Sequence, residues 1–450
     1  MHVPKAVEEI VDLVRRAGGR ALLVGGAVVD HLMGIEPKDW DLEVYGVPFS
    51  ELQKALEDAG LNPKLVGREF GVLKINGGLD IDVSVPRHDN KIGAGHKDFE
   101  VALDPNMSPK EAARRRDLSI NSIFYDLDSQ EIIDPFNGYE DLKAGIIGAT
   151  DPCTFVDDSL RVLRIMQLLP RKGKVVEPAT MELCRGLSET FNTLAGERVM
   201  VEFEKLLLKA AKPSVGLRFL QDAGWLKHFP ELFDLVECPQ NPEHHPEGDA
   251  WEHTLAVLDN AAAVRDWIPE DWQLAFMFGC LLHDVGKPET TDRETFTAYG
   301  HDKKSEPLAK QFMRRLTSEK KLTERVCALA RNHMQPYFLD SGKAGPSAWR
   351  RLHNKCRIDV LGWLSLCDKA ASHPEILGDG HSRSRACWKY FVEFGCQGDP
   401  IKPKLMGRHL IDAGLTPGPE FGKRLKVAYE AQLDDDALDV EQLLKLALEV

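Results

Sequence analysis

The period of the apolar positions changes several times along the chain, and each change marks a different kind of element. Val7, Ile10, Val11 and Val14 recur at three- and four-residue steps, which predicts a helix with one buried face. Leu22-Leu23-Val24 is a short apolar run ended by Gly25-Gly26, so a buried strand should stop there and a helix begin over Val28 to Met33. Asp39 to Val44 reads as a second strand, and Leu73 to Ile75 with Ile81 to Val85 as a hairpin. From His88 to Pro109 the pattern lapses around Gly93-Ala94-Gly95, which predicts a mobile loop. The helical period returns from Thr154 to about Phe233, first in Leu160, Leu163 and Leu169, then in Val199, Phe203, Leu206 and Leu207. Cys238-Pro239-Gln240-Asn241-Pro242 reads as a linker, and Asp399-Pro400 to Pro403 breaks the chain again. The expected architecture is an α+β head with a small mixed sheet over residues 1–150, followed by helices only: a neck and body over 151–235, a helical domain over 245–395 and a helical tail over 400–450. Internal repeats and low-complexity tracts are absent from the sequence.

Candidate chemistry sits where these elements meet. Side chains alternate along a strand, so Asp39 and Asp41 point the same way. Two carboxylates side by side without a basic partner repel, and a divalent cation is the usual remedy. On the hairpin, Asp80 and Asp82 share one face. Either could add a third carboxylate to a set that holds two cations about 3.5–4 Å apart, and Asp82 is favoured because Asp80 falls at the turn. A lone D-x-D is also common as a solvated strand edge. Here it follows a glycine turn, through which backbone N–H groups can approach phosphate oxygens. Arg114-Arg115-Arg116 adds guanidinium forks that match phosphate. Together these features suit metal beside a nucleoside triphosphate.

A second set lies further along: His253, His283-Asp284 within Leu281-Leu282-His283-Asp284-Val285-Gly286-Lys287, then His301, His333 and Asp368. A His-Asp doublet at the end of an apolar helix is expensive to bury unless something charged binds it. Imidazole and carboxylate together suit a transition metal, and His253 with Asp368 would complete a four-ligand site. His301 and His333 could hold a second metal or a substrate phosphate.

Composition narrows the setting. At 450 residues the chain needs two or more cores. No early stretch has the form of a signal peptide, and no apolar run approaches the ~20 residues of a membrane span. Nine cysteines are scattered singly with no C-x-x-C pair, which fits a reducing cytoplasm. A net charge of −14 argues against a generic nucleic-acid binder. Phosphate contact is local, however, and the runs at Arg114–Arg116, Arg161–Lys174, Lys303-Lys304, Arg314-Arg315, Lys320-Lys321 and Lys402–Arg408 could form a basic stripe. Each could equally be a solvated helix face.

Four motifs in order carry a resemblance: Gly25-Gly26-Ala27-Val28, Asp39-x-Asp41, Arg115-Arg116-Asp117-Leu118-Ser119-Ile120-Asn121, and Asp157-Asp158-Ser159-Leu160-Arg161-Val162-Leu163-Arg164. With the block Ile133 to Gly138 and Asp141-Leu142 beyond it, the chain resembles the class II CCA-adding tRNA nucleotidyltransferases of the polymerase β superfamily. The resemblance implies that Gly25 and Gly26 cradle the triphosphate, that Asp39 and Asp41 hold two magnesium ions, and that Asp82 helps to activate the attacking 3′-hydroxyl. It implies that Arg115, Arg116, Asp117 and Asn121 contact phosphates and ribose. Asp158 and Arg161 would read the base edge of CTP or ATP, with Arg164 close to the triphosphate. A helix would set Asp158, Arg161 and Arg164 on one face, and the alternative is an ordinary helical ion pair between Asp158 and Arg161.

Two departures stand out: Val29 replaces the family's arginine, with Lys38, Arg68 or Arg164 as possible substitutes, and Asp157 replaces glutamate. In CCA-adding enzymes a loop like the one from His88 to Pro109 helps to switch addition from C to A. Gly407-Arg408-His409-Leu410 and Gly414 to Pro419 resemble the family's tRNA-contacting end. The H…HD…D pattern resembles the HD phosphohydrolases, which implies metal-dependent phosphatase or 2′,3′-cyclic phosphodiesterase activity with a metal such as nickel, manganese, cobalt or iron. The expected partners are tRNA, CTP and ATP, with no membrane. Poly(A) polymerases share the head motifs. An inactive head, leaving an HD phosphohydrolase or RNA-binding scaffold, is the other alternative.

Overall fold

The computed structural model describes all residues except 1–2, 67–70, 77, 92–98, 379–393, 395, 397 and 399. It divides into two compact units, one of residues 1–206 and 215–228 and one of 207–214 and 229–450.

In the first unit, the helix Lys5–Arg16 buries Val7, Ile10, Val11 and Val14, the face its periodicity predicts. At about 1.5–3 kcal/mol per buried aliphatic side chain, that stripe suffices to hold the helix on the sheet, and a charge at Ile10 would detach it. The strands are β1 Arg20–Val24, β2 Asp39–Tyr45, β3 Lys64–Val66, β4 Val72–Asn76, β5 Asp80–Ser84, β6 Arg87–Lys91, β7 Phe99–Leu103, β8 Phe124–Asp126, β9 Ile132–Ile133, β10 Ile146–Ile147 and β11 Val175–Val176. Seven of them form one mixed sheet in the order β3-β4-β5-β2-β1-β8-β9. Its described pairs are antiparallel except β2 with β5, which run parallel.

One face of this sheet packs Trp40, Leu42, Val44, Leu73, Ile81 and Val83 against the Lys5–Arg16 and Phe49–Asp58 helices. The other face packs Leu22, Val24 and Tyr45 with Met107, Ala112, Ala113 and Phe124. The stretch from His88 to Pro109, expected to be a loop, is in its described part a β6–β7 hairpin. A helix opens at Pro109, with Ser108 and Glu111 forming a reciprocal cap at its start. The sparse large apolar residues hid the hairpin because β6 is entirely polar, Arg-His-Asp-Asn-Lys. Residues 92–98, including Gly93-Ala94-Gly95, lie outside the described residues.

Beyond the sheet the chain is mostly helical, and among the described residues a short parallel pair, in which β11 lies beside β10, departs from the helices-only expectation. The helix Leu160–Lys172 buries Leu160, Val162, Leu163, Ile165, Met166 and Leu169, and Trp225 anchors this region by donating to the Cys184 carbonyl at 2.7 Å. The second unit contains the helices Ala250–Val264, Glu270–Leu282, His301–Leu316, Lys320–Asn332 and Ile358–Ser372. Near its end, Leu405, Leu410, Ala428, Leu443 and Ala447 form a small separate core. No helix among the described residues is long and apolar enough to cross a membrane.

Candidate active sites

The first site is made by strand register. β1 pairs Val24 with Asp41, so the glycine turn that follows begins level with that carboxylate. Gly25 sits at φ +69°, and a Cβ there would lie 3.2 Å from Asp41 Oδ2. Glycine alone suits both the conformation and the close approach. On β2, Trp40, Leu42 and Val44 enter the core, which leaves Asp39, Asp41 and Glu43 on the opposite face. The parallel register pairs Asp39 with Asp80 and Asp41 with Asp82.

The hairpin thus supplies two carboxylates, and their surroundings differ. Asp80 is half exposed and bonded to Lys74 at 2.5 Å, whereas Asp82 Oδ1 is buried with no hydrogen-bond partner. Burial and the neighbouring Asp82 raise the Asp41 carboxyl to about 6, against the pull of Arg116. Burial likewise raises Asp82, opposed by Lys74. An acidic set with an orphaned oxygen and a strained charge balance is what a divalent cation would relieve, so the residues fit such an ion.

Around this face the structure sorts the residues that the resemblance assigned to the nucleotide. Arg115 and Arg116 both grip buried Glu43, at 2.8 and 3.0 Å, and Tyr45 donates to the same carboxylate at 2.6 Å. Asp117 accepts from Arg164 at 2.5 Å and from Asn121 at 3.0 Å. Burial would lift its carboxyl, but Arg164 outweighs that and holds it down at about 2. Asp158 lies ahead of the helix and accepts from Leu160 N at 3.0 Å and from Arg198 at 2.7 Å. Arg161 instead donates to the carbonyls of Thr154 and Arg115, both at 2.7 Å. The helical pair between Asp158 and Arg161 is therefore not formed. The helix starts at Leu160, so the three-residue neighbour rule does not extend back to Asp158.

Val29, in place of the family's arginine, is buried in the helix Gly26–Leu32. Of the possible substitutes, Arg164 is committed to Asp117, Lys38 is exposed, and Arg68 lies outside the described residues. The basic stripe is thinner than the composition suggests, since Arg115, Arg116, Arg164 and Arg315 are each bonded to a buried carboxylate of their own unit.

The second site lies among the helices of the second unit. His283 and His333 cap the C-terminal ends of Glu270–Leu282 and Lys320–Asn332, His301 opens His301–Leu316, and His253 and Asp368 project from Ala250–Val264 and Ile358–Ser372. Gly286 makes their meeting possible, because a Cβ there would fall 2.3 Å from the His301 carbonyl oxygen. Asp284 lies between two groups. Its Oδ2 faces His253 and His283 Nε2 at 3.6 and 3.2 Å, and its Oδ1 faces His301 and His333 Nε2 at 3.3 and 3.7 Å. Asp368 Oδ1 lies 3.0 Å from His253 Nε2 and 3.9 Å from His283 Nε2. The donor atoms of His253, His283 and Asp368 lie within 4.8 Å of one another, as do those of Asp284, His301 and His333.

Buried His283 Nε2 has no hydrogen-bond partner, and this nitrogen-oxygen donor set suits divalent ions. Burial opposes a charge on His253, but its bonds to Asp368 and Glu247 win and raise it to about 9. Burial lowers His333 to about 4. Burial would raise Asp284, yet His283 and Lys287 hold it well below the usual range.

Several residues escaped the sequence reading. Lys287 bonds Asp284 at 2.6 Å, and its place three residues after the aspartate was a usable signal. Glu43 continues the Asp39-Asp41 alternation by one step, another usable signal. Arg198 lies 40 residues from Asp158, and Glu247, six residues before His253, fits no motif spacing, so neither left a signal.

The comparisons with known proteins agree with this layout. Residues 21–148 match the family described as the poly A polymerase head domain, 175–235 the probable RNA and SrmB-binding site of polymerase A, and 250–370 the HD domain. Among solved structures, a Bacillus stearothermophilus CCA-adding enzyme in complex with CTP aligns with TM-score 0.66 at 19% identity, covering 100% of this chain and 98% of that one. A Thermotoga maritima CCA-adding enzyme complexed with tRNA aligns at 0.58 and 22% identity, covering 100% and 96%. These likenesses establish the fold: a mixed-sheet head followed by helices. The multifunctional CCA protein of Azoarcus sp. (strain BH72) is 34% identical over 70% of this chain and 73% of its own length. That of Pseudomonas fluorescens (strain Pf0-1) is 33% identical over 90% of this chain and 95% of its own, and with that span of likeness the chain belongs to the multifunctional CCA protein family.

Proposed function

We propose that this protein adds CCA to tRNA 3′ ends from CTP and ATP without a nucleic-acid template, releasing pyrophosphate, and that its HD domain is a metal-dependent phosphohydrolase. The observation that carries the first activity is the parallel register of Asp41 with Asp82 beside Gly25, which gathers carboxylates where a triphosphate can approach. Asp39, Asp41 and Asp82 would hold two magnesium ions. Such ions, when bound, lower the pKa of the attacking hydroxyl and neutralise charge on the leaving pyrophosphate. Backbone N–H groups around Gly25 and Gly26 would receive the triphosphate. Arg116, held by Glu43, and Arg164, held by Asp117, would offer their remaining guanidinium N–H groups, fixed in orientation, to phosphate and ribose. Asp158 would accept from the exocyclic amine that cytosine and adenine share, with Arg161 and Arg198 beside it.

At the second site, His253, His283, Asp284 and Asp368 would hold a divalent transition metal, and His301 and His333 a second ion or a substrate phosphate. A bound metal there supplies an activated water for phosphate ester cleavage. Lys287, donating to Asp284, would fix that carboxylate and keep it ionised.

The test is an incubation with tRNA ending before CCA, given CTP alone and ATP alone. Incorporation of C supports CCA addition. Incorporation of A alone, in long tails, would indicate a poly(A) polymerase. Absence of pyrophosphate release with either nucleotide would mark the head as inactive.

A further inference from the structure

Four histidines converge on the second site, and each must present Nε2 with a free lone pair to serve as a ligand. A ring nitrogen does so when the other nitrogen carries the proton and donates it elsewhere. Three of them solve this locally. His283 Nδ1 donates to the Cys280 carbonyl at 2.8 Å, His301 Nδ1 to Ala298 at 2.7 Å and His333 Nδ1 to Ala330 at 2.8 Å. Each acceptor lies three residues back, and for the two helix-end histidines it is a carbonyl in the helix's last turn. His253 has no such option. It lies inside the helix Ala250–Val264, where the Ala250 carbonyl already accepts from Thr254 Oγ1. Its Nδ1 donates instead to Glu247 Oε1, at 2.6 Å.

Glu247 is held for the purpose. His245 Nδ1 and Ser372 Oγ both reach the same Oε1, at 2.9 and 3.0 Å. Ser372 is one helical turn beyond Asp368, so the carboxylate ties His253 to the helix that carries its partner ligand. Gly248, at φ +126°, turns the chain immediately after Glu247, and Asp249 then caps the helix by accepting from Glu252 N at 2.9 Å. The carboxylate is mostly buried, and its Oε2 has no hydrogen-bond partner.

We infer that Glu247 is a positioning residue of the HD-domain metal site: it sets the tautomer and orientation of His253 and couples that ring to the Asp368 helix. The inference rests on the metal reading of the second site. It is tested on the full-length protein by titrating Co2+ and following the visible absorption of the bound ion. Glu247→Gln keeps the shape but loses the charge that commands the Nδ1 proton, and should weaken Co2+ binding about 10–100-fold and shift the absorption bands. Ser372→Ala removes one support while leaving the carboxylate, so a loss of about two- to fivefold is expected. It decides the matter if the glutamine variant does not fold. Wild-type affinity and spectrum in the folded glutamine variant, or in Ser372→Ala if that variant fails, would overturn the inference while leaving the metal site standing. A wild-type protein that binds no Co2+ would overturn both.

Discussion

The two candidate sites bring carboxylates together in opposite ways. In the head, strand register does the work and the charges are left under-compensated: Asp41 is raised to about 6 and Asp82 keeps a buried oxygen without a partner. In the HD domain, Asp284 is already surrounded by His283, Lys287 and His301 and sits well below its usual range. Under the proposed function, the head would receive its positive charge together with a substrate. The HD site is assembled around resident donors whose orientation is fixed in advance.

That contrast can be broken most forcefully at the head carboxylates. Asp39→Ala or Asp41→Ala should lower nucleotide addition about a thousand-fold or more while phosphate ester hydrolysis by the HD domain continues, as assayed on one preparation. Near wild-type addition would mean that the acidic face is not the reaction centre. The reciprocal change, His283→Ala, should abolish hydrolysis and leave CCA addition within about twofold. Parallel loss of both activities would deny that the sites are independent.

The charge balance itself predicts a trade between stability and function. Asp41 has a folded-state pKa near 6 against 3.8 for a free carboxyl. The folded form therefore binds the extra proton, and stability is fully present below about pH 4 and falls as pH rises to 6. Relieving this in Asp41→Asn should stabilise the metal-free protein at pH 8 by on the order of 2–3 kcal/mol, read by denaturant unfolding with chelator present. An unchanged or lower midpoint would show that the carboxylate is not strained.

Gly286→Ala would press a Cβ on the His301 carbonyl oxygen and should cost about 1–3 kcal/mol. It should also weaken the pairing of Asp284 with His301 more than that of His253 with Asp368. The smallest effect belongs to Arg198. The ion pair with Asp158 is partly exposed, so Arg198→Ala should change stability by under about 1 kcal/mol. Freed from Arg198, Asp158 should raise KM for CTP and ATP more than it lowers kcat, which steady-state kinetics would resolve.

The sequence by itself determined the helix of Val7 to Val14, the glycine-ended β1, the β4–β5 hairpin and the acidic face of β2. Each is written in a local period, and a period of two or of 3.6 needs no distant partner to be read. It also set out both groups of titratable residues, because ordered motifs mark them. What only the tertiary structure decided is which charge meets which. That Arg116 grips Glu43, that Arg198 rather than Arg161 takes Asp158, and that Glu247 rather than a nearby carbonyl orients His253 all depend on residues 73, 40 and 6 positions apart. Charge pairing is a matter of distance through space and of burial, and spacing along the chain carries that information only inside one regular element.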